Sequence, residues 1–138
     1  LLEAHRELEL IDHIAAARRK QDKLQVLADE APKVLRVGWC IVVRLTDAGL
    51  SRVVGSRSAP ETESPTAPWL PLDHAVELDG DAEWVPQVWR DMATTLAVAP
   101  LGDANTAVML GRPGGPLFRP SEVARLGYLA GIVATIIR

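Results

Sequence analysis

The residues best suited to hold a ligand fall in one stretch. Trp69, Trp84 and Trp89 are three of the chain's four tryptophans, and they lie between Arg57 and Met92 with His74 among them. The stretch is otherwise polar. Ligand pockets are mostly apolar and aromatic with few polar groups, so such a trio can line one. Equally, bulky indoles can anchor a long segment to a sheet. His74, in "PLDHAVEL", can ligate a haem iron through its imidazole, or be a half-exposed strand histidine. Trp69, His74, Trp84 and Trp89 are the candidate ligand pocket.

Other reactive groups point away from catalysis. Cys40 is the single cysteine. It reads as a small buried hydrophobe, with Arg44 the one basic residue near it on its strand face. His5 and His13 sit two helical turns apart, too far to share a metal. No Cys/His cluster supplies the three or four ligands of a zinc site. "GRPGG" (Gly111 to Gly115) lacks the Lys-Ser/Thr of a phosphate-binding loop. "ARRK" (Ala17 to Lys20) reads as a solvated basic face. With no Ser-His-Asp arrangement and no paired catalytic carboxylates, the expectation is a protein that is not an enzyme and carries no cofactor.

Composition sets the remaining bounds. The chain has 138 residues, 48% hydrophobic and 24% charged, which fits one folded domain. Its 15 basic and 18 acidic residues give a net charge of −3, without the basic excess of a nucleic-acid-binding surface. One cysteine fits a reducing, cytoplasmic setting. The longest apolar run, Leu126 to Ile137, falls short of the roughly 20 residues of a membrane span.

The elements follow from periodicity. Leu10, Ile14, Ala17, Gln21, Leu24, Ala28, Ala31 and Leu35 recur in steps of four and three, a heptad seam with one polar member. "RRKQDK" (Arg18 to Lys23) weakens its middle, Pro32 opens its last turn, and Gly38 ends it. "WCIVVRL" (Trp39 to Leu45) is an apolar central strand, and "SRVVGS" (Ser51 to Ser56) is its hairpin partner. "SAPETESPTAP" is loop composition. Leu72 to Leu78 offers a third strand and Asp81 to Asp91 a short helix interrupted at Pro86. "TTLAVAPL" (Thr94 to Leu101) and "NTAVMLGRP" (Asn105 to Pro113) close the sheet. Past the glycines, Phe118 can staple onto a last helix with Pro120 at its first position and Glu122 in its first turn. That helix has two apolar stripes, Val123-Leu126-Ala130-Val133-Ile137 and Leu129-Ile132-Ile136.

The order helix, hairpin, irregular middle, hairpin, helix resembles the GAF domain family. The likeness covers Leu24 to Ile137. It is specific over Leu96 to Ile137, where "AVAPL…AVMLGRPGGPLFRPSEVARLGYLAGIVATII" is similar to the family's closing motif. The resemblance implies an α+β fold: a central antiparallel sheet of five or six strands, with N- and C-terminal helices on one face and a pocket under the irregular middle on the other. It implies residues 1–22 as an N-terminal signalling or dimerisation helix and 23–138 as a GAF-like sensory domain. The Asn-Lys…Phe-Asp-Glu signature of cyclic-nucleotide binders is absent, as are the mid-segment cysteine of bilin binders and the several cysteines of sulfoxide reductases. Arg119 stands at the helix cap where the family usually places Ser, Thr or Asp, at a cost of about 1 kcal/mol.

The expected function is that of a non-catalytic sensory or regulatory domain of a signalling or transcription-regulating protein. It would bind a small molecule, dimerise, or do both, to control an output domain outside this chain. Alternatives are a ligand-free dimerisation module and an IclR-like effector domain of a transcription factor. The expected interface of a homodimer is Leu10, Ile14, Ala17, Leu24, Leu129, Ile132 and Ile136, because two amphipathic terminal helices offer more apolar surface than one sheet face covers.

Overall fold

A computed structural model describes residues 2–61 and 66–138. Four residues of the predicted loop "SAPETESPTAP" therefore lie outside the described residues. Strict alternation along the strands explains the architecture. On β1 (Trp39–Thr46), Cys40 and Val42 face one side, while Trp39, Ile41 and Val43 face the other. β4 (Thr95–Leu101) divides the same way, Ala97, Ala99 and Leu101 against Leu96 and Val98. β5 (Asp103–Arg112) sets Val108 and Leu110 against Ala107 and Met109. Strands that are apolar on both faces must be covered on both faces. With β2 (Gly49–Gly55) and β3 (Val76–Leu78) they form a five-stranded antiparallel sheet in the order β2-β1-β5-β4-β3. The fold is α+β, as the sequence implies.

Helices cover one face. α2 (Lys20–Leu35) packs on β1 and β2, α4 (Pro120–Ile136) on β4, and α1 (Leu2–Ala16) on α2 and α4. The first helical region breaks where "RRKQDK" predicts. Lys23 Nζ donates to the carbonyls of Ile14 (3.1 Å), Ala15 (3.0 Å) and Ala17 (2.5 Å), so a cation satisfies the open end of α1. α1 then runs back along α2, with His13 Nδ1 2.7 Å from Glu30 Oε1. Arg125 of α4 grips Glu7 of α1 through Nε (2.8 Å) and Nη2 (2.5 Å). Residues 2–22 thus span two helices: α1 ends at Ala16 within the helical layer, and α2 begins at Lys20. Pro32 sits inside α2, which closes on Arg36 in the left-handed region at φ 57°, two residues before the expected Gly38.

The polar member of the seam has a structural use. Gln21 Nε2 donates to the carbonyl of Val53 at 3.1 Å, and Gln25 Nε2 to that of Gly55 at 3.0 Å. Two glutamines one turn apart on α2 thereby occupy acceptors of the edge strand β2.

Candidate functional site

Two regions merit examination as a site: the tryptophan face of the sheet, and the junction from β5 into α4. The tryptophan face is built by the middle segment. After Pro86, α3 (Gln87–Asp91) presents Trp89, 2% exposed, toward Trp39 of β1. Their ring centroids lie 5.0 Å apart at 57°. Trp39 can lie flat across the sheet because its register partner on β5 is Gly111. A Cβ at Gly111 would collide with the indole ring. Trp69 and Trp84 form a second tilted pair, 6.0 Å apart at 46°. Beneath all four, Ile41, Val43, Leu96, Val98 and Met109 are buried in one cluster.

The structure thus brings Trp69, Trp84 and Trp89 to one side of the sheet, where they close an apolar core. The groove beside Trp84 and Trp89, about 850 Å³, opens outward past Pro60 and Gln87. The indole Nε1 of Trp69 and of Trp89, and Nε of Arg90, are buried with no hydrogen-bond partner among the described residues. Buried donors without acceptors cost about 1–3 kcal/mol each.

His74 is not part of this cluster, which corrects the sequence expectation. Leu72 packs into the tryptophan core and Ala75 against the helix core, so the chain rounds the β3 edge of the sheet between them. His74 lands on that rim, exposed, with Asp73 as its partner. It borders a groove of about 560 Å³ with Pro120, Gly127, Tyr128 and Gly131 of α4.

The proposed association seam is also redistributed. Leu10, Ile14, Leu24 and Leu129 are 0–4% exposed within one chain, where they join α1, α2 and α4 to the sheet. The seam folds back on itself at the α1–α2 break, so the apolar surface expected to meet a second chain meets its own. Ala17 and Ile136 are half-buried, and Ile132 is 44% exposed. Tyr128, at 78%, joins Ile132 on the outer face of α4.

At the β5–α4 junction the sequence reading missed a residue. Arg112 is buried at 8% exposure. Its Nη2 donates to Glu122 Oε2 at 2.6 Å, its Nε to the Arg36 carbonyl at 3.3 Å, and its Nη1 to the Pro116 carbonyl at 3.3 Å. The guanidinium lies 4.3 Å from the Phe118 ring centroid. One buried cation thus ties the end of α2, the end of β5 and the start of α4. Its detectable signal was an arginine closing an otherwise apolar strand, ahead of a first-turn glutamate. Glu122 Oε1 also accepts the Arg119 N–H at 2.9 Å, so the carboxylate caps the helix that Arg119's own side chain cannot. The Arg112 guanidinium, with the Arg119 N–H, holds the Glu122 carboxyl down at about 2. Between strand and helix, Gly114 (φ 78°) and Gly115 (φ 74°) take backbone angles that side-chain-bearing residues avoid.

The remaining titratable groups fit structural roles. Burial pushes the Cys40 thiol up to about 12, so it is inert as a nucleophile. The hydrogen bond to Glu30 raises the His13 imidazole above its ordinary value. Among the described residues no group of three His, Cys, Asp or Glu is placed to hold a metal ion. None of the described helices is long and apolar enough to cross a membrane.

No protein-family model matches the chain, and no curated protein matches it. Solved structures do match it. The GAF domain of the Acinetobacter phosphoenolpyruvate-protein phosphotransferase superposes with a TM-score of 0.72 at 11% identity, covering 99% of this chain and 92% of its own. The phycoerythrobilin-bound GAF domain of a cyanobacterial phytochrome gives 0.70 at 11%, covering 97% and 95%. A methyl-accepting chemotaxis protein gives 0.66 at 13%, covering 96% of each chain. With these superpositions over nearly the whole length of both chains, the chain has the fold of a GAF domain.

Proposed function

We propose that this chain is a non-catalytic regulatory domain of a larger cytoplasmic protein of signalling or transcription control, acting as a homodimer through its helical layer. The observation that carries this reading is the outer face of α4. Tyr128 and Ile132 project there, 78% and 44% exposed, beside a groove of about 560 Å³ floored by Gly127 and Gly131. Knob and groove on one helix suit a two-fold pairing, in which each copy offers both to the other. The similar solved structures from a phytochrome and a chemotaxis protein support a sensory setting. Packing of the tryptophan face by its own side chains favours transmission through helices over an enclosed ligand. Sedimentation equilibrium at micromolar concentration tests the pairing. The expected result is a dimer that Ile132→Asp converts to the 14.9 kDa monomer. A wild-type chain that stays monomeric there removes this reading.

A second reading has its own observation. The outward groove at Trp84 and Trp89 adjoins the buried Trp89 Nε1, which has no acceptor among the described residues, as a small-molecule site would. Native mass spectrometry of the full-length protein would show a co-purifying ligand, and its binding should alter tryptophan fluorescence. Unchanged affinity for that ligand in Trp84→Phe and Trp89→Phe would place its site elsewhere.

A further inference from the structure

The helix layer ends before the sheet does, and a cleft of about 180 Å³ lies at that end. It is bounded by the start of α2 at Lys20 and Leu24, the end of α4 at Ala134, Ile137 and Arg138, and the β4–β5 turn at Leu101 to Asp103. Its charge is lopsided. Lys20 and Arg44 line it, the Arg138 guanidinium is offset by the terminal carboxylate of the 138-residue chain, and Asp103 is the only side-chain carboxylate among the lining residues. That carboxylate is already engaged: Oδ1 accepts the Asn105 N–H at 2.8 Å, and Oδ2 accepts the Thr106 hydroxyl at 3.2 Å. Among the described residues Arg44 meets Thr106 through Nε, at a long 3.4 Å, and the outer fork of its guanidinium is available to a carboxylate. In a chain of net charge −3, a cleft where Lys20 and Arg44 face one occupied side-chain carboxylate is a local anion trap.

Apart from Thr106, whose hydroxyl is bound to Asp103, the side chains of the remaining wall are apolar. Leu24 and Leu101 reach the cleft from the helix-face core, and Ala134 and Ile137 flank them. The volume is below the roughly 300–1,000 Å³ of pockets that take drug-sized ligands, so the occupant is small. We infer that this cleft is a binding site for a small carboxylate with a short aliphatic tail. Arg44 and Lys20 hold the head group, and Leu24 and Ile137 cover the tail. The site is on the helix face, across the sheet from the tryptophans, and independent of both the α4 pairing and the outward groove. It bridges the first turn of α2 and the last turn of α4. An occupant there joins the two helix ends and shifts whatever equilibrium moves them relative to each other.

Amide chemical-shift titration of the 138-residue chain tests this with acetate, butyrate, hexanoate and inorganic phosphate at constant ionic strength. The expected result is saturable shifts confined to the Lys20–Leu24, Val43–Leu45, Leu101–Thr106 and Ala134–Arg138 segments, with affinity rising from acetate to butyrate. Arg44→Gln should weaken butyrate about tenfold, the loss of one charge-assisted hydrogen bond. Ala134→Leu, which keeps every charge and fills the cleft, should abolish binding, and Arg52→Gln on β2 should leave it unchanged. Shifts that never saturate overturn the inference, as does affinity that ignores tail length. Phosphate binding as tightly as butyrate, or Arg52→Gln weakening butyrate as much as Arg44→Gln, also overturns it, since either reduces the cleft to non-specific charge.

Discussion

The two faces of the sheet are covered by different means. On one, α2, α4 and α1 supply a mostly aliphatic core from regular helices. On the other, loops and the five-residue α3 supply a core around Trp39 and Trp89. The helix core leaves few polar atoms to satisfy, because helices bond their own backbone. The tryptophan core buries indole donors without acceptors among the described residues. A regular layer achieves stability by repetition, whereas an irregular one depends on a few large side chains and accepts local penalties to seat them.

Truncation in each core is the most forceful way to break that contrast. Leu126→Ala on the helix side should cost about 2–5 kcal/mol and Trp89→Ala about 3–5 kcal/mol, measured by urea denaturation. Trp89→Phe sharpens the comparison. It keeps most of the ring and deletes an unpaired donor, so it should cost under about 1.5 kcal/mol. A Trp89→Phe loss as large as that of Trp89→Ala would mean that the indole N–H has a partner after all.

Gly111→Ala comes next. The added methyl meets the Trp39 ring, itself held against Trp89 and 3% exposed, so the ring cannot yield cheaply. A cost of about 1–3 kcal/mol is expected, with a change in near-ultraviolet circular dichroism from the Trp39–Trp89 pair and little change in helical signal. Helical loss of equal size would show that the two cores do not respond separately.

Acid probes the clamp between them. Glu122 titrates at about 2 in the fold against an ordinary value of 4.5. A depressed carboxyl stabilises fully above its unfolded value, and the gain disappears as pH falls from about 4.5 toward 2. Glu122→Gln should cost about 1–2 kcal/mol at pH 7, through the lost Arg112 bond and weaker helix cap. It should also flatten the dependence of Tm on pH over that window. An unchanged slope would place the acid-sensitive group elsewhere.

The smallest effect belongs to the α1–α2 hairpin. His13 is raised by Glu30, so its contribution is present below its unfolded value of 6.5 and is lost as pH rises through the folded one. His13→Gln should lower Tm slightly at pH 5.5 and leave it unchanged at pH 8.5. A loss at pH 8.5 as large as at pH 5.5 would remove protonation as the cause.

What was legible in the sequence follows the same divide. Nearly unbroken apolar runs in "WCIVVRL" and "TTLAVAPL" located β1 and β4 nearly to the residue, because burial on both faces leaves little room for polar side chains. Most of the heptad positions, Leu10, Ile14, Leu24, Ala28, Ala31 and Leu35, are buried within the chain, whereas Gln21 is exposed. Periodicity says that Leu10 and Ile14 are covered, and nothing in it says whether by the same chain. The irregular middle kept its tryptophans together but not His74. Whether a residue lies before or after the turn around an edge strand is decided by tertiary packing, which leaves no period. Arg112 and the Lys20–Arg44–Arg138 cleft join parts of the chain far apart in sequence, and no local spacing announces them.

The glutamines of α2 carry one last consequence. An edge strand with open carbonyls is a template on which another chain can extend the sheet, the first step toward fibrils. Gln21 and Gln25 occupy two of those acceptors on β2 from the flank of a helix. Shielding of this kind exists only once α2 has docked. While the chain is still folding, "SRVVGS" is open to intermolecular pairing. The hazard is therefore kinetic, and it is set by how long the first helical hairpin takes to settle on the sheet.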